Sequence, residues 1–203
     1  ADSLGVSSTT LGRMRVGLSE DGQCSTWPMR NGKGEIIGVR LTILPWNAQD
    51  SKKWSRRDSQ NGLFASAEDF RCPIKKIQTL LITEGASDAA AAISLSLRAV
   101  GRASCHASTH PVRDYVERFR PTRILIFADN DSPGIQGGIR LARWLVDQPA
   151  VALTADEVKV VAPPPPHGDL RDWVKQGARA SDLLAAPPIE MARIPKQTFF
   201  DFG

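Results

Sequence analysis

Residues 123–134 read Arg-Ile-Leu-Ile-Phe-Ala-Asp-Asn-Asp-Ser-Pro-Gly. The run 124–128 is continuously apolar, which is typical of a strand buried on both faces of a sheet. The Ser-Pro pair at 132–133 has the form of a helix N-cap followed by proline at the first helical position. A strand that runs directly into a helix predicts a βα unit, with the carboxylates of Asp129 and Asp131 where the strand ends.

The same alternation continues on both sides of this unit. Apolar strands are predicted at 80–83, 99–105, 123–128 and 158–162, and helices are predicted to start at Ser87, Pro111 and Ser132. Apolar strands that alternate with helices are typical of a parallel sheet covered by helices on both faces. The sequence therefore predicts an α/β fold for residues 79–186.

The first part of the chain differs in both pattern and charge. Residues 1–78 show β-rich stretches, above all 34–44, separated by turn-forming residues. They carry 12 Lys+Arg against 8 Asp+Glu, whereas residues 79–203 carry 14 against 14, so the whole net charge of +4 lies in the first part. We predict a small β-rich basic subdomain at 1–78 before the α/β domain, and a linker or tail at 187–203.

The composition excludes several classes of protein. With 203 residues, 41% of them hydrophobic and 24% charged, the chain is expected to be globular rather than disordered or fibrous. It lacks the run of about 18 apolar residues that a membrane span needs, and it shows no features of a secretory signal. Its three cysteines are an odd number and predict no disulfide framework. We therefore expect a cytoplasmic protein.

Acidic residues follow three of the predicted strands at the point where each strand ends. They are Glu84 after 80–83, Asp129 and Asp131 after 123–128, and Asp169 and Asp172 after 158–162. Asp88 lies four residues after Glu84, in the first turn of the next helix. Because the carboxyl ends of parallel strands lie along one edge of a sheet, we expect these carboxylates in one neighbourhood. The spacing leaves structural roles open for Asp88, beside a helix N-terminus, and for Asp172, as a helix cap.

Such a cluster of carboxylates needs compensation by protons or cations. Two unit charges about 4 Å apart repel by roughly 4 kcal/mol at an effective dielectric constant near 20. Hard oxygen ligands without nearby His or Cys favour Mg²⁺ or Mn²⁺ over zinc. Ions of this kind can hold the attacking and leaving oxygens of a phosphoryl transfer. The cluster therefore predicts metal-dependent chemistry on a phosphate.

A second candidate site lies in the basic N-terminal part. Four cations surround one aromatic residue there: Lys52, Lys53, Arg56 and Arg57 around Trp54. Cations neutralise phosphates and an indole stacks on an unpaired base, so this combination favours binding of single-stranded nucleic acid. Arg40, on the predicted strand 34–44, is expected to join them. The alternative is a solvated turn with Trp54 packed into the core.

Three segments resemble known motifs. Glu84-Gly-Ala-Ser-Asp88, followed by the Asp-Asn-Asp-Ser-Pro-Gly of 129–134, resembles the TOPRIM domain shared by topoisomerases, DnaG-type primases, certain nucleases and recombination proteins. Glu-Gly-x-x-Asp is more similar to the primase branch than to the topoisomerase branch. Asp169-Leu-Arg-Asp172-Trp173 looks like the third acidic motif of phage and plasmid primases, where DnaG itself has Asp-x-Asp. The stretches 34–44, 52–55 and 61–64 are similar to the region before TOPRIM in primase–helicase proteins of mobile elements.

This resemblance implies a TOPRIM-like, mostly parallel sheet flanked by helices and the activity of a DNA primase core. Such a core acts in DNA replication and makes RNA primers on single-stranded DNA from ribonucleoside triphosphates with Mg²⁺ or Mn²⁺, beside a helicase that is fused or separate. The resemblance implies two sets of site residues. The catalytic set is Glu84, Asp88, Asp129 and Asp131, and the metal-binding set is Glu84, Asp129, Asp131, Asp169 and Asp172.

Other functions remain open at this level. A TOPRIM nuclease would cleave DNA with the same metal ligands, and a module with a degenerate site would bind nucleic acid without catalysis. A topoisomerase fits poorly because the one tyrosine, Tyr115, lies in a predicted helix. A phosphatase of the Asp-x-Asp-x-Thr type fits poorly because Pro133 stands in the threonine position.

Overall fold

The structure, a computed structural model, describes residues 4–44, 53–71 and 77–189. Within these residues the strands are β1 Gly17–Leu18, β2 Cys24–Arg30, β3 Ile36–Ile43, β4 Lys53–Ser55, β5 Phe64–Ala65, β6 Thr79–Thr83, β7 Ala99–Gly101, β8 Arg123–Phe127 and β9 Val158–Val161. The α-helices are α1 Ser8–Met14, α2 Ala86–Ser94, α3 Thr109–Phe119, α4 Ser132–Val146, α5 Leu170–Lys175 and α6 Ala180–Leu184. None of the described helices is long and apolar enough to span a membrane.

The central sheet has the predicted α/β architecture. Its strand order is β5-β7-β6-β8-β9, with β6 parallel to β7 and β8, and β8 parallel to β9. Alternate residues of β6 and β8 enter two different cores, since successive side chains of a strand point to opposite faces. One core contains Ile82 and Ile126 with α3 and α4, and the other contains Leu81 and Leu125 with α2 and α5. The prediction of a mostly parallel sheet flanked by helices is confirmed.

The N-terminal part forms an antiparallel sheet of order β1-β2-β3-β4. Asn31 closes the turn between β2 and β3, because its Oδ1 accepts hydrogen bonds from the backbone N–H groups of Lys33 and Glu35. Trp27 and Met29 of β2 are buried in the same hydrophobic cluster as the alanines of α2 and Leu81 and Leu125 of the central sheet. The two sheets therefore share one hydrophobic core.

Helix α1 corrects the prediction that residues 1–78 contain only strands and turns. Ser7 caps the helix, since its Oγ accepts a hydrogen bond from the Thr10 N–H at 3.1 Å. Arg15 ends the helix in the left-handed conformation at φ 58°. A helix of seven residues is too short to be stable alone, and it forms because Met14 packs into the core shared with α2. The sequence pattern shows no periodicity for so short a helix.

Residues on both sides of the predicted α/β domain, 79–186, form hydrogen bonds with its central sheet. Strand β5 lies before residue 78, yet Phe64 pairs with Gly101 of β7. At the other end, within the segment predicted as a linker or tail, the Ile189 N–H donates to the Val160 carbonyl at 2.8 Å. Residues 190–203 lie outside the described residues.

The helices that leave the carboxyl edge of the sheet begin earlier than predicted. Gly85, not Ser87, is the N-cap of α2. Asp131, not Ser132, is the N-cap of α4, with Pro133 in its first turn. At α4 the Asp131 carboxylate accepts the Gly134 N–H, so this acidic residue takes the capping position that Ser132 was expected to fill.

Candidate active site

Glu84 and Asp129 lie at the same edge of the central sheet. Thr83 of β6 pairs with Phe127 of β8, and the two acids follow these strands by one and two residues. Between β7 and β6, the Arg102 N–H donates to the Thr83 carbonyl at 2.9 Å, so the chain is held in register up to the residue before Glu84. The parallel pairing places both carboxylates where the sequence predicted that they would meet.

Gly134 lies where the carboxylates of Glu84 and Asp131 meet the backbone of Asp129. A Cβ atom built on this glycine would lie 3.0 Å from Glu84 Oε2, 2.9 Å from Asp131 Oδ1 and 2.8 Å from the Asp129 carbonyl oxygen. Asp131 Oδ1 also accepts the Gly134 N–H at 2.7 Å, which fixes this carboxylate at the start of α4. The absence of a side chain at residue 134 is what leaves room for the three to approach.

Asn130 connects this group to the third acidic segment. Its backbone N–H donates to the Gly168 carbonyl at 2.8 Å, and its side-chain amide donates to the His167 carbonyl at 3.2 Å. Asp169, which follows Gly168 in the chain, is the N-cap of α5. Its Oδ1 accepts a hydrogen bond from the Asp172 N–H at 2.7 Å. The possible capping role of Asp172 is therefore filled by Asp169, and Asp172 lies in the first turn.

Asp88 lies deeper than the other five acids. Its side chain is 6% exposed, on α2. Its Oδ1 accepts the backbone N–H of Arg171 at 3.1 Å, a contact that joins α2 to α5. The structure thus brings all six predicted acidic residues to one region, since the charges of Asp88, Glu84, Asp169 and Asp131 all act on Asp129 and Arg171 joins Asp169 to Asp172.

The carboxylates affect one another electrostatically. The pKa of Asp129 is raised from 3.8 to about 7, first by burial and then by the charges of Asp88, Glu84, Asp169 and Asp131, in that order. Burial also raises the pKa of Asp88 to about 6, with Asp169 as the second cause. These effects indicate a concentration of negative charge around Asp129 and Asp88.

The donor chemistry at this region fits a divalent cation. Glu84 Oε2 is buried without a hydrogen-bond partner, and a buried unpaired carboxylate oxygen is costly unless a cation or proton joins it. All the donors are hard oxygens, the ligands that Mg²⁺ and Mn²⁺ prefer. Within the described ranges, no three His, Cys, Asp or Glu side chains already stand as ligands of a single ion. Binding would therefore require these side chains to close around it.

Sequence reasoning missed one buried cation beside the acids. Arg102 follows β7 and is 2% exposed; its Nη1 donates to the Cys105 carbonyl at 2.9 Å, and its Nε has no partner. Burial lowers the pKa of Arg102, and the charge of Glu84 is the main effect that opposes this shift. The sequence could have indicated Arg102, because this residue lies in the predicted strand 99–105, which ends at the same carboxyl edge of the sheet as the acids.

The three glycines near the start of α4 have different roles. Gly134 faces the acids, as described above. A Cβ on Gly137 would lie 2.6 Å from Cys105 Cβ, and one on Gly138 would lie 3.0 Å from a methyl group of Val160. Gly137 and Gly138 therefore permit helix packing, and only Gly134 borders the candidate site.

The basic segment lies largely on the surface. Lys53, Arg56 and Arg57 are exposed, and Trp54 is 42% exposed on β4 rather than packed into the core. Lys52 lies outside the described residues. Arg40 is half-buried, and its Nη2 donates to the Ala103 carbonyl at 3.4 Å, next to Arg102.

Tyr115 is fully buried in α3. Its hydroxyl donates to Asp69 Oδ2 at 3.3 Å, and Asp69 also pairs with Arg98. A tyrosine in such a position cannot reach a DNA phosphate, so the structure gives no support to a topoisomerase.

Comparison with solved structures identifies the fold. In the structure of bacteriophage T7 lagging-strand DNA polymerase with primase domains bound to an RNA/DNA hybrid, the matching chain superimposes with a TM-score of 0.68 at 18% identity. The match covers 93% of this chain and 92% of that one. The chain has the fold of a primase catalytic core. No family model and no curated protein matches it by sequence.

Bacterial primases show the same primase fold. The E. coli primase catalytic core matches with a TM-score of 0.64 at 15% identity over 92% of this chain and 72% of that one. A DnaG primase catalytic domain solved with single-stranded DNA matches with a TM-score of 0.64 at 14% identity over 92% and 72% of the two chains. At these identities the likeness concerns the fold, and the chemistry of the chain depends on its own residues.

Proposed function

We propose that this protein is the catalytic core of a DNA primase, which synthesises RNA primers on single-stranded DNA from ribonucleoside triphosphates. The observation that carries this proposal is the meeting of Glu84, Asp129 and Asp131 around Gly134 within a primase-core fold. A site for a divalent cation at the carboxyl edge of a sheet is suited to phosphoryl transfer.

Asp129, Asp131 and Asp169 are the proposed ligands of Mg²⁺ or Mn²⁺, with Glu84 as the acid/base or metal-organising residue and Asp88 and Asp172 in support. When bound, such an ion lowers the pKa of a 3′-hydroxyl and neutralises charge on a triphosphate. The unpaired, buried Oε2 of Glu84 is the acceptor suited to a proton from that hydroxyl. Asp131 cannot turn away freely, because the Gly134 N–H holds its Oδ1.

The template is proposed to bind across the basic N-terminal sheet. Lys53, Arg56 and Arg57 provide phosphate contacts, and the exposed face of Trp54 provides a stacking surface for an unpaired base. Arg40, on β3 of this sheet, reaches the loop that follows Arg102, because its Nη2 donates to the Ala103 carbonyl. A template strand on the sheet would thus lead towards the acidic site.

The test is nucleotide incorporation on a labelled single-stranded DNA template with ribonucleotides and Mg²⁺. We expect incorporation by the wild type and a loss of at least about 100-fold in Glu84→Gln and Asp129→Asn, the scale seen when a catalytic charge-stabilising group is removed. Asp147→Asn is the matched control, because Asp147 is exposed at the far end of α4. It should retain wild-type incorporation.

The same assay separates the other two functions. Shortening of the labelled strand without nucleotides, lost in Asp129→Asn, would identify a nuclease. Binding of the strand with neither synthesis nor cleavage would identify a non-catalytic module. Wild-type incorporation in both site variants would overturn the primase proposal.

A further inference from the structure

Arg102 and Glu84 are neighbours in the register of the central sheet. Strands β6 and β7 pair in parallel with Thr83 opposite Gly101, and Glu84 and Arg102 are the next residues along these two strands. The Arg102 N–H donates to the Thr83 carbonyl at 2.9 Å. A Cβ atom built on Gly101 would collide with the backbone of Gly85. The two chains are therefore in close contact on both sides of Glu84.

Each of the two side chains has a buried polar atom without a hydrogen-bond partner. Arg102 is 2% exposed, and its Nε is unpaired. Glu84 Oε2 is buried and unpaired as well. Among the described residues, neither side chain forms an ion pair within 4.0 Å. A buried charge costs free energy, and an opposite charge nearby lowers that cost.

Cys105 forms a second connection between the two residues. Its carbonyl accepts a hydrogen bond from Arg102 Nη1 at 2.9 Å. Burial raises the pKa of its thiol, and so do the charge of Glu84 and a hydrogen bond with Glu84. The guanidinium of Arg102 thus acts on Glu84 by its charge and also fixes the residue whose thiol contacts Glu84.

We propose that Arg102 is a positioning residue for nucleotidyl transfer, whose buried guanidinium holds the Glu84 carboxylate in place at the carboxyl edge of the sheet. The inference rests on the proposed function. A side chain that is 2% exposed has no surface for a nucleotide or a template, so the effect of Arg102 is transmitted by Glu84. An arginine remains charged at any working pH, so this charge is permanent.

The first test is a double-mutant cycle of Arg102→Gln and Glu84→Gln, measured by thermal unfolding at pH 8 in a chelating buffer. Arg102→Gln should lower the melting temperature at least about twice as much in the wild type as in the Glu84→Gln background, because only the wild type keeps a buried charge that loses its neighbour. Equal losses in the two backgrounds would overturn the inference. Where Arg102→Gln alone does not fold, a folded double variant supports the inference and an unfolded one overturns it.

The second test is nucleotide incorporation at a temperature at which the variants are folded. Arg102→Gln should lower kcat by about 10–100-fold, the scale for residues that orient a functional side chain. It should leave the KM for the ribonucleotide unchanged, because Arg102 does not bind the substrate. Arg102→Lys keeps the charge and should recover most of the lost rate.

Arg30→Gln is the matched control for both tests. Arg30 is also buried, at 5% exposure, and its Nε is also unpaired. Burial lowers the pKa of Arg30, and the neighbouring charges that lower it further are the cations Arg15 and Arg71 rather than acids. This variant should keep the wild-type kcat, and its effect on the melting temperature should be the same with and without Glu84→Gln.

Each kinetic outcome decides the inference. A loss of kcat in Arg102→Gln that Arg102→Lys restores and Arg30→Gln does not show supports it. An unchanged kcat, a rise in KM alone, no recovery in Arg102→Lys, or an equal loss in Arg30→Gln would overturn it and leave the proposed function standing. No incorporation by the wild type would overturn the proposed function, and the role in nucleotidyl transfer with it.

Discussion

Arg40 and Trp54 point to opposite faces of the antiparallel sheet, because Arg40 pairs with Ser55 whereas Trp54 pairs with Leu41. The Arg40 face carries Trp27, which is buried against the central domain. Trp54 points away from it. The predicted nucleic-acid contact is therefore divided between the two faces of the sheet formed by β3 and β4, and β4 is an edge strand that one flexible single strand can cross.

Trp54→Ala should weaken binding of single-stranded DNA by about 1–3 kcal/mol, the range for loss of one base–aromatic stack. The free energy of unfolding of the Trp54→Ala protein should differ from that of the wild type by less than about 0.5 kcal/mol, as for other surface substitutions. Fluorescence anisotropy of a labelled oligonucleotide measures the affinity, and urea denaturation measures the stability.

Ile36→Ala is the control for this experiment, because Ile36 is also an exposed apolar residue of the same sheet but offers no ring. It should bind DNA as tightly as the wild type. Equal affinities in all three proteins would show that Trp54 does not contact the template.

The metal-free protein should be more stable at pH 5 than at pH 8. In the folded state the pKa of Asp129 is about 7, above the ordinary 3.8, and that of Asp88 is about 6. Between pH 3.8 and about pH 7, folded Asp129 and Asp88 hold protons that the same residues release in the unfolded state. The free energy of unfolding therefore falls as the pH rises through the folded-state pKa values. Thermal unfolding in a chelating buffer across this range measures the effect.

Asp129→Asn should reduce that pH dependence and raise the melting temperature at pH 8 by about 2–4 °C, which corresponds to roughly 1 kcal/mol in a domain of this size. The reason is that the amide carries no charge among the other acids. Asp147→Asn, remote from the cluster, should follow the wild-type profile. An unchanged profile in Asp129→Asn would mean that the buried charge lies elsewhere.

Gly134→Ala should impair ion binding and cost about 1–3 kcal/mol of stability, as overpacking of a tight site does. The new Cβ would stand 2.8 Å from the Asp129 carbonyl oxygen, which is backbone and cannot yield cheaply. Calorimetric titration with Mn²⁺ and thermal unfolding measure the two effects.

Gly12→Ala is the matched control for this substitution. No atom lies within 4 Å of its Cβ position, so it should leave ion binding intact and stabilise α1 by roughly 0.5–1 kcal/mol. Normal Mn²⁺ affinity in Gly134→Ala would contradict the convergence of the acids on this glycine.

Tyr115→Phe should lower stability by about 1 kcal/mol, the typical net value of one hydrogen bond. Asp69 loses the Tyr115 hydroxyl but keeps Arg98. Nucleotide incorporation should be unchanged once the protein is folded. A large loss of incorporation at unaltered stability would instead indicate a chemical role for this tyrosine.

The sequence predicted best where one local pattern decides the structure. The apolar run before Asp129 has few alternatives to a buried strand, and its proline and acids indicate a helix start. Helix α1 and the exact caps were not predictable, because they depend on packing of Met14 and on which of two neighbouring oxygens reaches a free N–H. Local propensity is nearly equal for Asp131 and Ser132 as caps.

By itself, the sequence determined the α/β architecture, because each apolar strand and each helix is visible in its local pattern. It also determined the edge at which the acids gather, because the carboxyl ends of parallel strands lie along one edge of a sheet. Only the tertiary structure decided which partner each carboxylate takes. Asp88 accepts a hydrogen bond from Arg171, 83 residues away, while Glu84 Oε2 has no hydrogen-bond partner. The physical reason is that hydrogen bonds and ion pairs depend on distances of a few ångströms, which are set only when helices and strands pack together.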